Sequence, residues 1–254
     1  MASDTWICEG DQRIAAVSVL ARFTDDRVWF SLLRMGFDKN YKIQLTENTF
    51  RRMDESPDEQ FYRIPRFVSH IDPGAIDRVT GLYREYLSDG MVVLDLMSSW
   101  LSHLPEELTF SRVVGLGMND REMARNQQLD QWVVQDLNHE SSLPFIDGEF
   151  DAGLLCVSID YLIDPVSVLR DLGRVLKPDA PLIITYSNRF FESKATAAWL
   201  YLNDEQRAYL IKTFLEKAGC YRQIELMDRS PPFGDPLFAV IATVNSPGCP
   251  SKDQ

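Results

Sequence analysis

Apolar residues along this chain fall into two patterns, short unbroken runs and spaced helical faces, and the two alternate. Val92-Val93-Leu94, Val113–Leu116, Gln131–Leu137, Phe150–Ser158 and Pro181–Tyr186 read as strands, the fourth apolar enough to be covered on both faces. Ala75–Leu87 places Ile76, Val79, Leu82, Tyr83, Tyr86 and Leu87 at helical spacing, and Gly90 closes it. Tyr161–Leu176 carries Leu162, Val166, Leu169, Leu172 and Leu176 on one side before Pro178 stops it. Ala195–Ala218 reads as one long helix closed by Gly219, and Asn119 caps a helix running to about Asn126. The last two β runs, Gln223–Met227 and Leu237–Val244, are joined by a loop too short for a crossover helix, so they pair antiparallel.

This alternation predicts an α/β domain over residues 61–245. Residues 1–60 read as a helical extension, with Ile14–Phe23 and Val28–Phe37 as short helices and Thr46–Thr49 as a cap before another, packed on the core or over its ligand crevice. Residues 246–254 read as a flexible tail. Within the domain, the first strand stops at Asp95. A turn, Met97-Ser98-Ser99-Trp100, and a short helical piece ended by Pro105 follow it. Ligands of parallel α/β sheets bind beyond the carboxyl end of that strand, where the strand order switches.

Composition narrows the partners. Lysine and arginine number 26 against 38 acids, a net charge of −12, which argues against a partner held through phosphate contacts. The local basic pairs Arg51-Arg52 and Arg63/Arg66 have acids close by, such as Asp54, Glu55 and Asp58. No apolar run is long enough for a membrane span, and the early acids Asp4, Glu9 and Asp11 suit neither a secretory signal nor a transit peptide. Cys8, Cys156, Cys220 and Cys249 are widely spaced, which favours reduced thiols and a cytoplasmic location over a disulfide framework or a zinc site. His70, His103 and His139 are the only histidines, so no metal centre is expected.

Layout and motif together resemble a known family. The stretch Leu143–Thr185 contains Leu143-Pro144-Phe145, Phe150-Asp151, a buried strand, then Arg174-Val175-Leu176-Lys177-Pro178. It resembles the type-11 subgroup of class I, Rossmann-like methyltransferases, with Asp179 and Ala180 where that subgroup has two glycines. The resemblance implies a seven-stranded sheet whose last strand is antiparallel. It also implies the cofactor S-adenosylmethionine (SAM), a small-molecule acceptor, and neither nucleic acid nor membrane as partner. Carried over residue by residue, it assigns Asp95, Met97, Ser98, Ser99, Gly117, Met118, Asn119, Asp136 and Leu137 to cofactor binding. In that assignment Asp136 accepts from the adenine amino group, and Ser98 and Ser99 meet a carboxylate at a helix start.

The family's glycine-rich loop reads Asp-x-Gly-x-Gly-x-Gly, and here its glycine positions hold Met97, Ser99 and Leu101. Its ribose-binding acid aligns with Gly117, leaving Asn119 or Asp120 to substitute at longer reach or simply to cap the following helix. Methyl transfer from a sulfonium needs alignment more than acid–base help. If the acceptor must lose a proton, His103, Tyr161, Asp160 and His70 are the candidate bases. Tyr62, Arg66, His70 and Arg189 fall on the substrate side, and Trp100 either walls the pocket or joins the core. A methyltransferase-like binding or assembly module, or a pocket used for another reaction, is the competing reading, its case being the missing glycines and acid. A nicotinamide dehydrogenase would require the glycine fingerprint that the chain lacks.

Overall fold

The computed structural model describes residues 5–10, 13–18, 42–43, 45–246 and 249. A small sheet comes first. Thr5–Gly10 (β1) pairs antiparallel with Arg13–Ser18 (β2) and with Lys42–Ile43 (β3). This corrects the expected N-terminal helices in part. Ile14–Ser18 belong to a hairpin, because an extended partner immediately upstream satisfies their backbone groups; Val28–Phe37 lie outside the described residues. Thr46 does precede a short helical turn, Glu47–Phe50, where the Thr46 N–H donates to Thr49 Oγ1 at 2.7 Å.

The main sheet is seven-stranded. In chain order its strands are Val92–Leu96 (β4), Arg112–Gly117 (β5), Gln131–Val134 (β6), Ala152–Cys156 (β7), Pro181–Tyr186 (β8), Tyr221–Asp228 (β9) and Phe238–Val244 (β10). Their spatial order is β6-β5-β4-β7-β8-β10-β9. β6 through β8 pair parallel, and β10 runs antiparallel to both β8 and β9. The central strands are apolar along their length because both faces are covered. Val93, Val113, Leu154 and Ile183 point to one core, with helix α2 (Pro73–Tyr86). Leu94, Val114, Leu155 and Ile184 point to the other, with α4 (Pro165–Val175) and α6 (Asp204–Ala218). The remaining helices are short: α1 (Asp58–Tyr62), α3 (Asp120–Met123) and α5 (Ala197–Tyr201).

Three helix expectations are corrected by capping. The long helix over 195–218 is two, because Asn203 caps α6 by accepting from the Gln206 N–H and Leu202 before it is extended. The Tyr161–Leu176 helix begins at Pro165, with Asp164 as its cap; Ile159–Tyr161 form a separate 3-10 turn. The helix after Asn119 is a single turn.

The fourth correction shapes the site. Residues 97–111 contain no helix. Side chains take the backbone groups a helix would have paired: Asn126 Nδ2 donates to the Ser99 carbonyl at 3.0 Å, and the Gln128 amide bonds both backbone groups of Leu104.

The cysteine reading is also corrected. Cys220 and Cys249 form a disulfide, because the chain beyond β10 turns back: the Asn245 N–H donates to the Cys220 carbonyl at 2.8 Å. Distance along the sequence is not distance in space.

Candidate active site

A cavity of about 530 Å³ opens beyond the carboxyl ends of the parallel strands, where the order reverses between β4 and its neighbours β5 and β7. Its volume suits a drug-sized ligand. The segment from α1 to His70 covers it. A buried polar cluster anchors that cover: Asp58 accepts from Arg52 at 2.8 Å, from Lys194 at 3.1 Å and from Asn138 Nδ2 at 2.8 Å. Lys194 is fully buried and also donates to the Ser56 carbonyl at 2.6 Å. The pairing expected for Arg52 with nearby acids is thus present.

Fifteen of the residues nominated from the sequence line this cavity: Asp95, Met97, Ser98, Ser99, His103, Gly117, Met118, Asn119, Asp136, Leu137, Tyr161, Tyr62, Arg66, His70 and Arg189. Leu101 lines it as well, so the strand-one loop walls the space without filling it.

At the end of β4, Asp95 is buried and its Oδ2 accepts from Ser98 Oγ at 2.6 Å and Ser102 Oγ at 2.7 Å. Burial outweighs those two bonds and pushes its carboxyl up to about 6. Met97 sits at φ 59°, a left-handed conformation at the family's first glycine position, which costs a non-glycine residue roughly 1–2 kcal/mol. Ser98 donates its N–H to the Leu116 carbonyl at 2.8 Å, pulling the loop across the end of β5. The consequence falls on Gly117, where a Cβ would meet the Ser98 carbonyl oxygen at 2.2 Å. The family's acid therefore has no room at this position.

The helix-start role expected of Ser98 and Ser99 is overturned, since no helix starts there. Ser98 Oγ bonds Asp95, and Ser99 Oγ bonds Glu122 Oε2 at 2.6 Å. Asn119 acts as a cap, its Oδ1 accepting from Arg121 and Glu122 N–H groups and its Nδ2 donating to the Tyr62 carbonyl at 2.7 Å. Asp120 turns away to accept from Trp132 Nε1. Glu122 was missed by sequence reasoning. Its place three residues after an Asn cap signals a capping box, but the side chain reaches across to Ser99 and to the Arg66 N–H at 2.6 Å.

Asp136 lies beyond β6, where its Oδ1 accepts from the Asn138 N–H at 2.9 Å, and Leu137 beside it is buried. Asn138, also missed, ties this loop to the cover through Asp58 and to the Tyr161 carbonyl at 2.9 Å. At the end of β7, Val157 sits at φ 42°, an outlier for a β-branched residue.

The candidate bases differ in state. Burial lowers His70, and it lowers His103 to about 4, so both imidazoles are neutral at pH 7. Tyr161 moves the other way, burial raising it well above 10, and its hydroxyl accepts from the Phe191 N–H at 2.9 Å. It cannot serve as a base near neutrality. Asp160 is buried but does not line the cavity. Arg189 is 62% exposed and lies 3.9 Å from Asp235. Trp100 does not wall the cavity; its Nε1 donates to the Val68 carbonyl at 3.0 Å and its ring meets Phe67 edge-on.

Comparison with known proteins follows this geometry. Residues 97–184 match the Methyltransf_11 family, a methyltransferase domain. No curated protein sequence matches the chain. Among solved structures, the [4+2]-cyclase SpnF is 17% identical with a TM-score of 0.51, over 66% of this chain and 81% of that one. A SAM-dependent methyltransferase from Aquifex aeolicus is 20% identical with a TM-score of 0.49, over 68% and 94%. Phosphoethanolamine N-methyltransferase 2 from Haemonchus contortus, solved with SAM, is 15% identical with a TM-score of 0.49, over 66% and 52%. The strand order is that of the class I, Rossmann-like methyltransferase fold, and the family match covers about a third of the chain within it.

Proposed function

We propose that the protein binds SAM in the covered crevice and transfers its methyl group to a small molecule. The carrying observation is that the ends of β4, β5 and β6, the first just before the matched segment and the other two within it, converge on one cavity of ligand size. The residues fit the cofactor unevenly. Asp136 and Leu137 suit the adenine end, as an acceptor and a buried apolar neighbour. Asp95 suits the centre, where a sulfonium favours its ionised form. The strand-one loop offers no helix N-terminus to a carboxylate, and Gly117 carries no acid, so the amino-acid and ribose ends must be held by other groups.

When bound, SAM supplies an electrophilic methyl group on sulfur. The chain's own work is to exclude water and align the acceptor. The cover closes one side of the crevice, with Arg66 and His70 facing in. His70, a neutral imidazole facing the crevice, takes the proton from an acceptor that must lose one; His103, held down to about 4, is the weaker base. Tyr161 holds the Phe191 loop in place.

The test is thermal unfolding with and without SAM and S-adenosylhomocysteine, with Asp136→Ala beside the wild type. Ligand at about 100 times its dissociation constant adds roughly 2.7 kcal/mol, a rise of about 5–10 °C for a chain this size. Asp136→Ala reduces that rise. A well-folded protein showing no shift at millimolar ligand would refute the proposal.

One observation favours a second reading, a different reaction in the same crevice. The strand-one loop lacks both the glycines and the helix usual for this cofactor, and a neighbour sharing the fold is a [4+2]-cyclase. Tight SAM binding with no label leaving a methyl-labelled cofactor, across a broad panel of small acceptors, would support this alternative.

A further inference from the structure

Among the described residues, Arg66 lacks the carboxylate partner that several other buried or half-buried cations of the fold have. Arg52, Arg112, Arg174, Lys194 and Arg207 each face a carboxylate. Arg66 lines the crevice, and among the described residues its guanidinium pairs with none, in a chain whose net charge is −12. Aromatic faces hold it instead: the guanidinium carbon lies 4.4 Å from the Phe61 ring centre, 5.3 Å from that of Phe191 and 5.9 Å from that of Tyr62. Nη2 donates to the Phe61 carbonyl at 2.9 Å. The rings hold the guanidinium in place, and the fork has more N–H groups than this one bond uses. Glu122 lines the same wall, but its oxygens are taken by Ser99 Oγ and by the backbone N–H of Arg66.

The strand-one loop offers an anion little. The Ser98 N–H and the hydroxyls of Ser98, Ser99 and Ser102 are bonded within the protein, and no helix begins between 97 and 111. The other cavity-lining guanidinium, Arg189, is mostly exposed and faces Asp235. Asp58, Asp136 and Glu192 also line the space, so it suits one small anionic group at Arg66 and not an extended polyanion. One planar fork, with the crevice's other guanidinium facing Asp235, matches a carboxylate better than a phosphate.

We propose that Arg66 is the carboxylate anchor of this crevice. This rests on the reading of the crevice as a SAM site. The carboxylate belongs either to the amino-acid end of the cofactor or to the methyl acceptor.

Calorimetric titration of the full chain distinguishes the two. The probes are S-adenosylhomocysteine, methylthioadenosine (which lacks the amino-acid carboxylate), and benzoate against benzamide, chosen because Tyr62 and Phe191 line the crevice beside Arg66. If the cofactor's carboxylate binds Arg66, Arg66→Met weakens S-adenosylhomocysteine by about tenfold or more and leaves methylthioadenosine unchanged. If the acceptor's carboxylate binds there, both adenosyl ligands are unaffected. The wild type, saturated with S-adenosylhomocysteine, then prefers benzoate to benzamide, and Arg66→Met abolishes that preference. Arg66→Lys falls between, keeping charge without the fork, and replaces the Met variant should the latter lose its native circular dichroism. Arg66 variants matching the wild type on every probe overturn the proposal. A wild type that binds neither adenosyl ligand refutes the SAM reading instead, and the benzoate–benzamide comparison on free protein then decides for or against Arg66.

Discussion

Asp95→Asn tests the electrostatics at the centre of the site. The buried carboxylate accepts two hydroxyl bonds, from Ser98 and Ser102, and Ser102 is held in turn by Asn126 Nδ2 at 2.8 Å. Desolvation still dominates, so the folded protein holds the Asp95 proton up to about pH 6 against an ordinary value of 3.8. That gap corresponds to about 3 kcal/mol. A carboxyl raised on folding contributes stability that is fully present below 3.8 and is lost as pH rises through about 6. The wild type therefore gains about 2–2.5 kcal/mol from this group as pH falls from 7.5 to 4, and Asp95→Asn, which cannot titrate, does not. Other groups titrate in this window, His103 among them with the opposite sign. They act on both proteins and largely cancel in the difference. The assay is urea unfolding of ligand-free wild type and variant across that range. The difference in unfolding free energy should be flat above pH 7 and move by about 2–2.5 kcal/mol towards the wild type by pH 4. A difference that stays level from 7.5 to 4 refutes the reasoning, because Asp95 would then be ionised throughout and solvated well enough to stay so.

Two further substitutions test the scaffold. Gly117→Ala drives a Cβ to 2.2 Å from the Ser98 carbonyl oxygen, whereas at Gly115 the nearest atom is a Leu129 methyl at 2.6 Å on a side chain that can turn aside. Urea unfolding should show about 3 kcal/mol or more lost at 117 and about 1–2 kcal/mol at 115, and equal losses would mean that the loop is free to move. Lys194→Met leaves Asp58 and Asp54 without one buried partner and should cost about 3–5 kcal/mol in the same assay. A loss under about 1 kcal/mol would mean the Asp58 cluster does not hold the cover down.

That the sheet is largely parallel and covered on both faces was legible because each central strand is apolar along its length: Val93 and Leu94, or Ile183 and Ile184, serve opposite cores. The spatial order of the strands was not written in that pattern. Helix boundaries were less legible, since they turn on single capping residues such as Asn203, which sits inside an otherwise helical pattern. The hairpin at the amino end was hidden because Ile14–Ser18 carry an apolar run too short for its period to separate strand from helix. The cavity walls could be read from the resemblance. Glu122 and Asn138 could not, because nothing local distinguishes a polar side chain that caps its own helix from one that crosses to another segment.

The missing glycines and the missing acid have one physical cause. With Met97 at φ 59°, the loop after β4 turns early, Ser98 bonds Leu116, and its carbonyl occupies the space over Gly117. An acid at 117 and this loop exclude each other. Reverting Gly117 alone would therefore not restore the family's pattern, because the side chain would collide before it could meet a ribose. The polar groups that such a loop would offer a ligand are instead turned inward, onto Asp95 and Glu122. Recognition then has to come from the wall the loop does not form. That wall is the cover, where Tyr62, Arg66 and His70 lie, held over the crevice by Asn119, Glu122 and the buried Asp58 cluster. Strain follows the same map in part. Among the described residues five non-glycines are left-handed; Asp179 and Gln223 lie away from the cavity, but Met97, His103 and Val157 line it, where a fold tolerates strained backbone when ligand placement requires it.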